Sequence, residues 1–291
     1  MPESKIHTDL VTQYFETNPD RVFARSDVEH LFVEKNHEWN LPPSMTSYTF
    51  VQMLLTRTKL SELRLRSHHY SSLLRYSWEG KASPISVAIS IKKDDAFFSH
   101  GSAMWIHGLS GDHKKIFLNR EQSEKRRNSA QLSQEAIDRA FRNQQRFSRL
   151  GYKYQDAKIT LLSGKHTGRL DVQSAVAPSG HHVEVTSLER TLVDITVRPA
   201  YSGGVSNVLQ AFRLAKNRVS VSKLITLLEK FDYTYPYHQS IGFYLERAGY
   251  TEADQLLAQA DGVKFNFYLC HGLKGPTFDP DWRVFFPRTL K

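Results

Sequence analysis

The stretch that decides the fold is residues 186–204, TSLERTLVDITVRPAYSGG. Thr186 and Glu189 have the spacing of a capping box, in which each side chain satisfies a free backbone N–H at a helix start. Apolar residues follow on two opposite faces of the predicted helix, a pattern typical of a buried helix. These residues are Leu188, Leu192, Ile195, Val193 and Val197. Pro199 ends the helix, because proline cannot continue its hydrogen bonding.

Three charged residues lie between the two apolar faces. Arg190, Asp194 and Arg198 recur every four residues, a spacing that allows an ion pair between each neighbouring two. We interpret them as a structural charge ladder on a core helix. The alternative is a catalytic role for Glu189, Arg190 or Asp194.

The same stretch resembles the ERTLxDxxxRPxxxGG signature of the AbiEi family, the antitoxins of type IV toxin–antitoxin systems. Three further runs agree with this resemblance, at residues 98–109 (FSHGSAMWIHGL), 233–249 (YTYPYHQSIGFYLERAG) and 282–287 (WRVFFP). Together the four runs cover the chain from about residue 96 to its end. In the amino-terminal part, the resemblance lies in the order of the predicted helices and strands more than in residue identities.

The resemblance implies an antitoxin that represses its own operon and counteracts a cognate nucleotidyltransferase-type toxin, as in abortive infection against phage. The expected partners are double-stranded DNA of its own promoter and that toxin, contacted directly or indirectly, with no membrane partner. We expect a monomer in solution that binds DNA cooperatively. No catalytic residue, metal or cofactor is expected.

Length and composition agree with a folded intracellular protein. The 291 residues suffice for one large or two modest domains, and 40% hydrophobic residues suffice for a core in each. No apolar run approaches the roughly 18 residues of a membrane span, and no signal-peptide pattern opens the chain. The single cysteine, Cys270, excludes an intrachain disulfide and any multi-cysteine metal site. We therefore predict a cytoplasmic protein.

The pattern of the first 80 residues predicts a winged helix-turn-helix domain. Helical spacing near residues 6–15 is followed by a helix capped by Ser26 and Glu29, and by a third helix capped by Ser44. Strand-like runs at residues 63–67 and 73–78 complete the layout as a hairpin. The predicted fold class is α+β, with a winged helix at residues 1–80 and a larger mixed α/β domain at residues 81–291.

A winged helix binds DNA by placing its third helix in the major groove. Short polar side chains near the start of that helix suit base reading, and basic ones on its end and on the hairpin suit phosphate contacts. The candidate base readers are Thr46, Ser47, Thr49 and Gln52, with Ser44 and Tyr48 reaching the backbone. The candidate phosphate anchors are Arg57, Lys59, Arg64, Arg66 and Arg75, opposed only by Glu62.

The alternative is a winged helix used only for protein contacts, because residues 1–80 hold nine Lys/Arg against ten Asp/Glu. The excess charge lies instead in residues 113–169, which hold fourteen Lys/Arg against five Asp/Glu. Such a block faces either a polyanion or solvent. Its candidate phosphate contacts are Lys125, Arg126 and Arg127, in a linker-like segment near residues 120–132, and a predicted helical stripe of Arg139, Arg142 and Arg146.

Two questions stay open in the sequence. Residues 84–95 alternate like a strand, yet Ser83 and Pro84 look like a helix start, and the family layout favours the helix. Asp171 and Glu184 resemble the metal-binding carboxylates of nucleases, but Thr186 replaces the expected Lys. A metal-dependent nuclease fused to a DNA-binding module is one alternative function. A plain transcriptional regulator with a partner-sensing second domain is the other.

Overall fold

The structure, a computed structural model, describes residues 6–18, 20–92, 95–124, 131–260 and 262–290. Its elements are α1 (Thr8–Thr17), β1 (Val22–Phe23), α2 (Arg25–Glu34), α3 (Ser47–Arg57), β2 (Leu60–Leu65), β3 (Leu73–Trp78), α4 (Pro84–Ile91), β4 (Phe97–Phe98), α5 (His100–Ile106), β5 (Lys115–Glu121), α6 (Gln134–Arg142), β6 (Gly151–Tyr154), β7 (Ala157–Gly164), β8 (Val172–Val176), β9 (His182–Thr186), α7 (Leu188–Val197), α8 (Val205–Ala215), α9 (Val221–Phe231), α10 (Tyr237–Arg247), α11 (Glu252–Gln259), β10 (Phe267–Tyr268), β11 (Thr277–Asp279) and β12 (Val284–Phe286). The fold is α+β, as predicted.

The chain forms two compact units, each assembled from separate segments. The first unit comprises Met1–Asp94, Arg149–Thr160 and Val176–His181, and the second comprises Asp95–Ser148, Leu161–Ala175 and His182–Lys291. The first unit thus extends past the expected boundary at residue 80. Residues 84–91 belong to it because they form α4, which packs against β1.

The first unit places α1, α2 and α3 around a three-stranded antiparallel sheet of order β1-β3-β2. The β2–β3 hairpin pairs Leu60 with Trp78 and continues to Leu65 with Leu73. Phe15, Phe50 and Trp78 are fully buried in its core, where Phe15 stacks on Trp78 with 5.0 Å between ring centroids. The sheet is thereby joined to α1 through aromatic packing.

Two predicted helix caps in this unit are wrong. The chain leaves β1 in an extended conformation at Ala24, so α2 begins at Arg25. The side chain of Asp27 accepts the free N–H of Ala24 at 2.7 Å, and neither Ser26 nor Glu29 caps the helix. Ser44 lies in a turn closed by a 2.8 Å hydrogen bond from Met45 N to Pro42 O, and α3 begins only at Ser47. Its capping residue is Thr46.

Residues 84–91 form a helix, so the interpretation favoured by the family layout is confirmed. Pro84 is the first residue of α4, and the hydroxyl of Ser83 accepts the N–H of Ser86 at 3.1 Å. Proline fits this position because the first helical N–H has no partner within the helix. Ile85, Val87 and Ile91 are buried, which explains why the apolar pattern also resembles a strand.

The second unit is organised around α7, in which eight of ten residues are buried. The predicted capping box of Thr186 and Glu189 is wrong by one residue. Thr186 still belongs to β9, so Ser187 caps the helix, its hydroxyl accepting the N–H of Arg190 at 3.1 Å. Glu189 instead accepts hydrogen bonds from Ser220 N and Lys223 Nζ, both at 3.1 Å. The residue at which β9 ends therefore decides where the helix begins.

Helices α8, α9 and α10 confirm the helices predicted at residues 205–216, 222–230 and 239–248 to within two residues. They pack against α7, and their buried apolar residues share one core with it. The strand predicted at residues 265–270 shortens to Phe267–Tyr268, which pairs in parallel with Val284–Phe286. A further sheet has the order β6-β7-β5-β4-β9-β8. Within the described ranges, no helix has the length and apolar character needed to cross a bilayer.

Candidate functional site

The start of α3 presents a polar surface in the first unit. Ser44, Thr46, Thr49 and Gln52 are exposed, Ser47 is half-buried, and Tyr48 is 60% exposed. On the opposite side of the helix, Phe50, Val51, Met53 and Leu54 are buried, which fixes the outward direction of the polar face. The structure therefore brings the predicted base readers together.

Two of these readers have hydroxyl groups already used within the helix start. Thr46 Oγ1 accepts the N–H of Thr49 at 3.2 Å, and Thr49 Oγ1 accepts the N–H of Thr46 at 2.9 Å. These reciprocal bonds form a capping box, which stabilises the helix end. Gln52 is the exposed reader with the largest hydrogen-bonding group, since its amide offers both a donor and an acceptor.

Three of the predicted phosphate anchors are exposed. Arg57 is the last residue of α3. Arg64 and Arg66 are two residues apart, so their side chains lie on the same face of the β2 edge. Arg64 lies 3.3 Å from Glu62, a pairing that solvent weakens because both side chains are largely exposed. These three guanidinium groups are accessible to an anion in solution.

The other two predicted anchors, Lys59 and Arg75, are not free cations. Lys59 Nζ lies 2.9 Å from Glu16 and 2.8 Å from Glu79, so Glu62 is not the sole opposing carboxylate. Arg75 is half-buried and donates to the carbonyls of Ser90 at 3.0 Å and Leu74 at 2.8 Å. Burial lowers the pKa of Arg75. Arg75 therefore holds β3 to α4, and its role as a phosphate anchor stays a prediction.

The predicted basic stripe is interrupted. Arg139 and Arg142 are exposed in the last turn of α6, which is anchored by buried Ile137 and Phe141. Arg146 lies four residues beyond the end of that helix, so it does not continue the stripe. The helix ends because Asn143 adopts an extended conformation. Lys125, Arg126 and Arg127 lie outside the described residues.

A buried charge cluster surrounds Arg190 in the second unit. Its side chain is 3% exposed and lies 3.1 Å from Glu121 and 3.7 Å from Asp194. Arg190 also donates to the carbonyl of Leu170. The guanidinium lies between the rings of Phe97 and Phe231, at 4.9 and 5.2 Å from their centroids. The predicted pair of Arg190 and Asp194 is present, and Glu121 is a partner that sequence spacing did not indicate.

The two carboxylates of this cluster have opposite pKa shifts. Burial raises the pKa of Asp194 to about 6, with the charge of Arg190 opposing that rise. Burial also acts to raise the pKa of Glu121, but hydrogen bonds from Thr167 and Arg169 outweigh it and hold that pKa below its usual value. Glu121 is therefore the better-stabilised anion beside Arg190.

Arg198 does not extend the ladder. It is the residue after α7, where its backbone N–H bonds to Asp194 O at 2.9 Å, and it is exposed. No ion pair joins the side chains of Arg198 and Asp194 among the residues that the structure describes. The helix ends at Val197 because Pro199 follows, and the i, i+4 geometry is lost with it.

A cavity of about 750 Å³ opens beside the charge cluster, within the second unit. Its basic lining side chains are His100, Arg146, Lys165, His166, Arg190, Arg198 and Lys230, and its acidic ones are Glu124, Asp194 and Asp232. Burial lowers the pKa of His100 to about 3, so that histidine is neutral at physiological pH. The cavity has the size of a small-molecule site and an excess of basic groups.

The carboxylates of the nuclease alternative are each held by a basic side chain. Asp171 lies 3.0 Å from Lys223 Nζ and accepts a hydrogen bond from the Ser187 hydroxyl. Glu184 lies 2.7 Å from Arg169. Over the described part of the chain, no group of three His, Cys, Asp or Glu side chains is placed to hold a metal ion. This arrangement does not favour a two-carboxylate metal site at these positions.

Comparisons with known proteins show similarity at the level of the fold. Neither the protein-family models nor the curated proteins give a match to the chain. Among solved structures, the chain is similar to the crystal structure of the RV2827C protein from Mycobacterium tuberculosis, with a TM-score of 0.59 and 12% identity. The similarity covers 97% of this chain and 92% of that one. At this identity, the likeness concerns the fold alone.

Proposed function

We propose that this protein is a DNA-binding antitoxin of a type IV toxin–antitoxin pair, which represses its own operon and counteracts a nucleotidyltransferase-type toxin. The observation that carries the DNA-binding part is the position of the polar α3 start in the same unit as the exposed Arg64 and Arg66. Base readers and phosphate anchors are both needed for sequence-specific binding.

The order of elements in the first unit supports a winged helix-turn-helix. Three helices precede an antiparallel hairpin, and a short strand after α1 pairs with that hairpin. In that arrangement the third helix enters the major groove and the hairpin lies along the backbone. We propose Gln52 as a base reader, with Ser44, Ser47 and Tyr48 beside it and Arg57, Arg64 and Arg66 on phosphates.

The antitoxin part rests on the sequence resemblance, and the second unit offers a physical setting for it. The runs at residues 186–204, 233–249 and 282–287 all contribute to one apolar core. Gln239 joins two of them, because its side-chain amide donates to Trp282 O at 2.8 Å. A shared core explains why these runs occur together, and it leaves the exposed face of the second unit for the toxin.

DNA binding is tested by titrating the full chain against labelled DNA from upstream of its own gene and against a scrambled duplex. We expect tighter binding to the upstream DNA, with an Arg66→Gln variant weakened on both duplexes. Antitoxin activity is tested by co-expression with an adjacent nucleotidyltransferase gene, where growth should recover. Equal affinity for both duplexes would contradict the repressor, and failure to rescue growth would contradict the antitoxin.

The cavity beside Arg190 favours a second candidate, a transcriptional regulator whose second unit senses a small ligand. A volume of about 750 Å³ lies within the range of small-molecule sites. This candidate predicts that DNA affinity changes with a small anionic metabolite and that no toxin is counteracted. Specific DNA binding without growth rescue would favour it over the antitoxin.

A further inference from the structure

The paired part of the β6–β7 hairpin, residues 151–160, belongs to the first unit, although it follows the β2–β3 hairpin by more than seventy residues in sequence. It pairs Lys153 with Lys158 across its two strands. Lys153 is also bridged to Arg66 of the β2 edge, and its N–H donates to Arg66 O at 2.8 Å. Arg66, Lys153 and Lys158 therefore occupy adjacent positions across three neighbouring strands. We call these three residues the basic row.

The three side chains of the basic row lie on one face. Residues paired directly across antiparallel strands point to the same side, and successive residues along a strand alternate. Tyr154, Ala157 and Ile159 are buried on the opposite side of the β6–β7 hairpin, while all three members of the basic row are exposed. Arg64 lies two residues before Arg66, so it shares this face.

Such an arrangement is unfavourable for the protein alone. Like charges placed directly opposite each other on neighbouring strands repel. Within the described residues, no salt bridge joins a carboxylate to Arg66, Lys153 or Lys158, whereas nearby Glu62 pairs with Arg64. A polyanion bound along the row would relieve this repulsion.

We propose that the basic row is a DNA-backbone contact that continues the β2 edge onto the β6–β7 hairpin. Neighbouring strands lie about 4.8 Å apart, so the row spans about 10 Å. Each strand of B-DNA carries one phosphate per roughly 3.4 Å of helix axis, so a row of this length is long enough to reach at least two phosphates. The inference rests on the proposed DNA binding and assigns to it two lysines that lie outside residues 1–80.

The test compares the salt dependence of DNA binding by the full chain and by a Lys153→Gln/Lys158→Gln double variant. Neutralising two phosphate contacts should flatten the slope of log K against log salt by up to about 2. Affinity should fall by the same factor on upstream and scrambled DNA, because phosphates carry no sequence information. A Lys153→Arg/Lys158→Arg variant should keep the slope.

A matched control neutralises two exposed lysines of the second unit, Lys264→Gln and Lys274→Gln. The slope of log K against log salt should flatten less in this control than in the Lys153→Gln/Lys158→Gln variant. Circular dichroism of all variants checks that the fold is retained. If the unaltered chain binds DNA and the double variant keeps its slope, the basic row is not a DNA contact and only this inference fails. If the unaltered chain binds no DNA, the proposed function fails and the inference with it.

Discussion

Gly242 of α10 packs directly against the ring of Trp282. A Cβ atom added at Gly242 would lie 1.9 Å from Cζ3 of Trp282, far inside any contact distance. Trp282 is 1% exposed, and its indole N–H donates to Glu246 at 2.5 Å, so the ring is held from both ends. The absence of a side chain at residue 242 is thus a packing requirement of the second unit.

Replacement of Gly242 by Ala should therefore destabilise the second unit. Overpacking of a core typically lowers the free energy of unfolding by about 1–3 kcal/mol, and a contact this short places the change at the upper end. Denaturant unfolding of the variant measures the loss. Gly111→Ala is the control, because a Cβ at Gly111 meets nothing within 4 Å. Equal stability of both variants would show that Trp282 can move aside.

Replacement of Asp194 by Ala should also act through stability. The change removes one partner of buried Arg190, but Glu121 stays 3.1 Å away. The free energy of unfolding should therefore fall by less than the about 3–5 kcal/mol of a buried charge left without any partner. An Asp281→Ala variant, which changes an exposed carboxylate, should melt like the wild type. Wild-type melting of Asp194→Ala together with lost growth rescue would instead assign the charge pair to function.

The raised pKa of Asp194 predicts a pH dependence with a definite sign. Because its pKa is about 6 in the folded protein against an ordinary 3.8, the folded state favours the protonated carboxyl. The resulting stability is present below the ordinary pKa and is lost as pH rises through about 6. Over that window the wild type should lose up to about 3 kcal/mol relative to Asp194→Asn. A constant difference between the two unfolding curves from about pH 4 to pH 7 would contradict the shift.

Arg66 and Arg75 should respond differently to the same substitution. Arg66→Gln removes an exposed charge, so DNA affinity should fall while the melting temperature changes little. Arg75→Gln removes hydrogen bonds to two backbone carbonyls, so its main effect should be a lower melting temperature rather than weaker DNA binding. Thermal melts beside DNA titrations separate the two effects. A stable Arg75→Gln protein with weakened DNA binding would instead support Arg75 as a phosphate anchor.

The interrupted stripe of α6 gives a further prediction. If Arg139 and Arg142 contact phosphates, their joint replacement by Gln should flatten the salt slope by up to about 2. Arg146 lies beyond the helix and lines the cavity, so Arg146→Gln should leave that slope unchanged. Equal effects from the double and the single variant would show that the three arginines do act as one surface.

The sequence predicted those features that depend on local periodicity. Helices α8 to α10 have strong apolar repeats, and α7 has two apolar faces, so each was placed nearly correctly. The capping residue of α7 was placed wrongly. The sequence allows the helix to be capped by Thr186 or by Ser187, and the position at which β9 ends decides between the two. A tertiary element therefore overruled a local signal.

The surroundings of the candidate site residues were predictable only where a side chain has no distant partner. Gln52, Arg64 and Arg66 are exposed on regular elements, as their spacing indicated. Arg75 and Lys59 find partners fifteen to forty-three residues away, which no local pattern shows. Glu121 and the cavity lining likewise come from separate segments. The contacts that could not be predicted from the sequence are thus those between residues that the fold brings together from distant segments.

The pairing of Lys153 with the β2 edge also bears on the order in which the protein can fold during synthesis. The first unit needs Arg149–Thr160 and Val176–His181 in addition to Met1–Asp94. The ribosome must therefore make more than half of the chain before that unit is complete. Until then the β2 edge lacks its bridge to Lys153, and an open edge invites pairing with other chains. A fragment ending at residue 80 would keep that incomplete edge permanently, so a shortened chain should aggregate more readily than the whole protein.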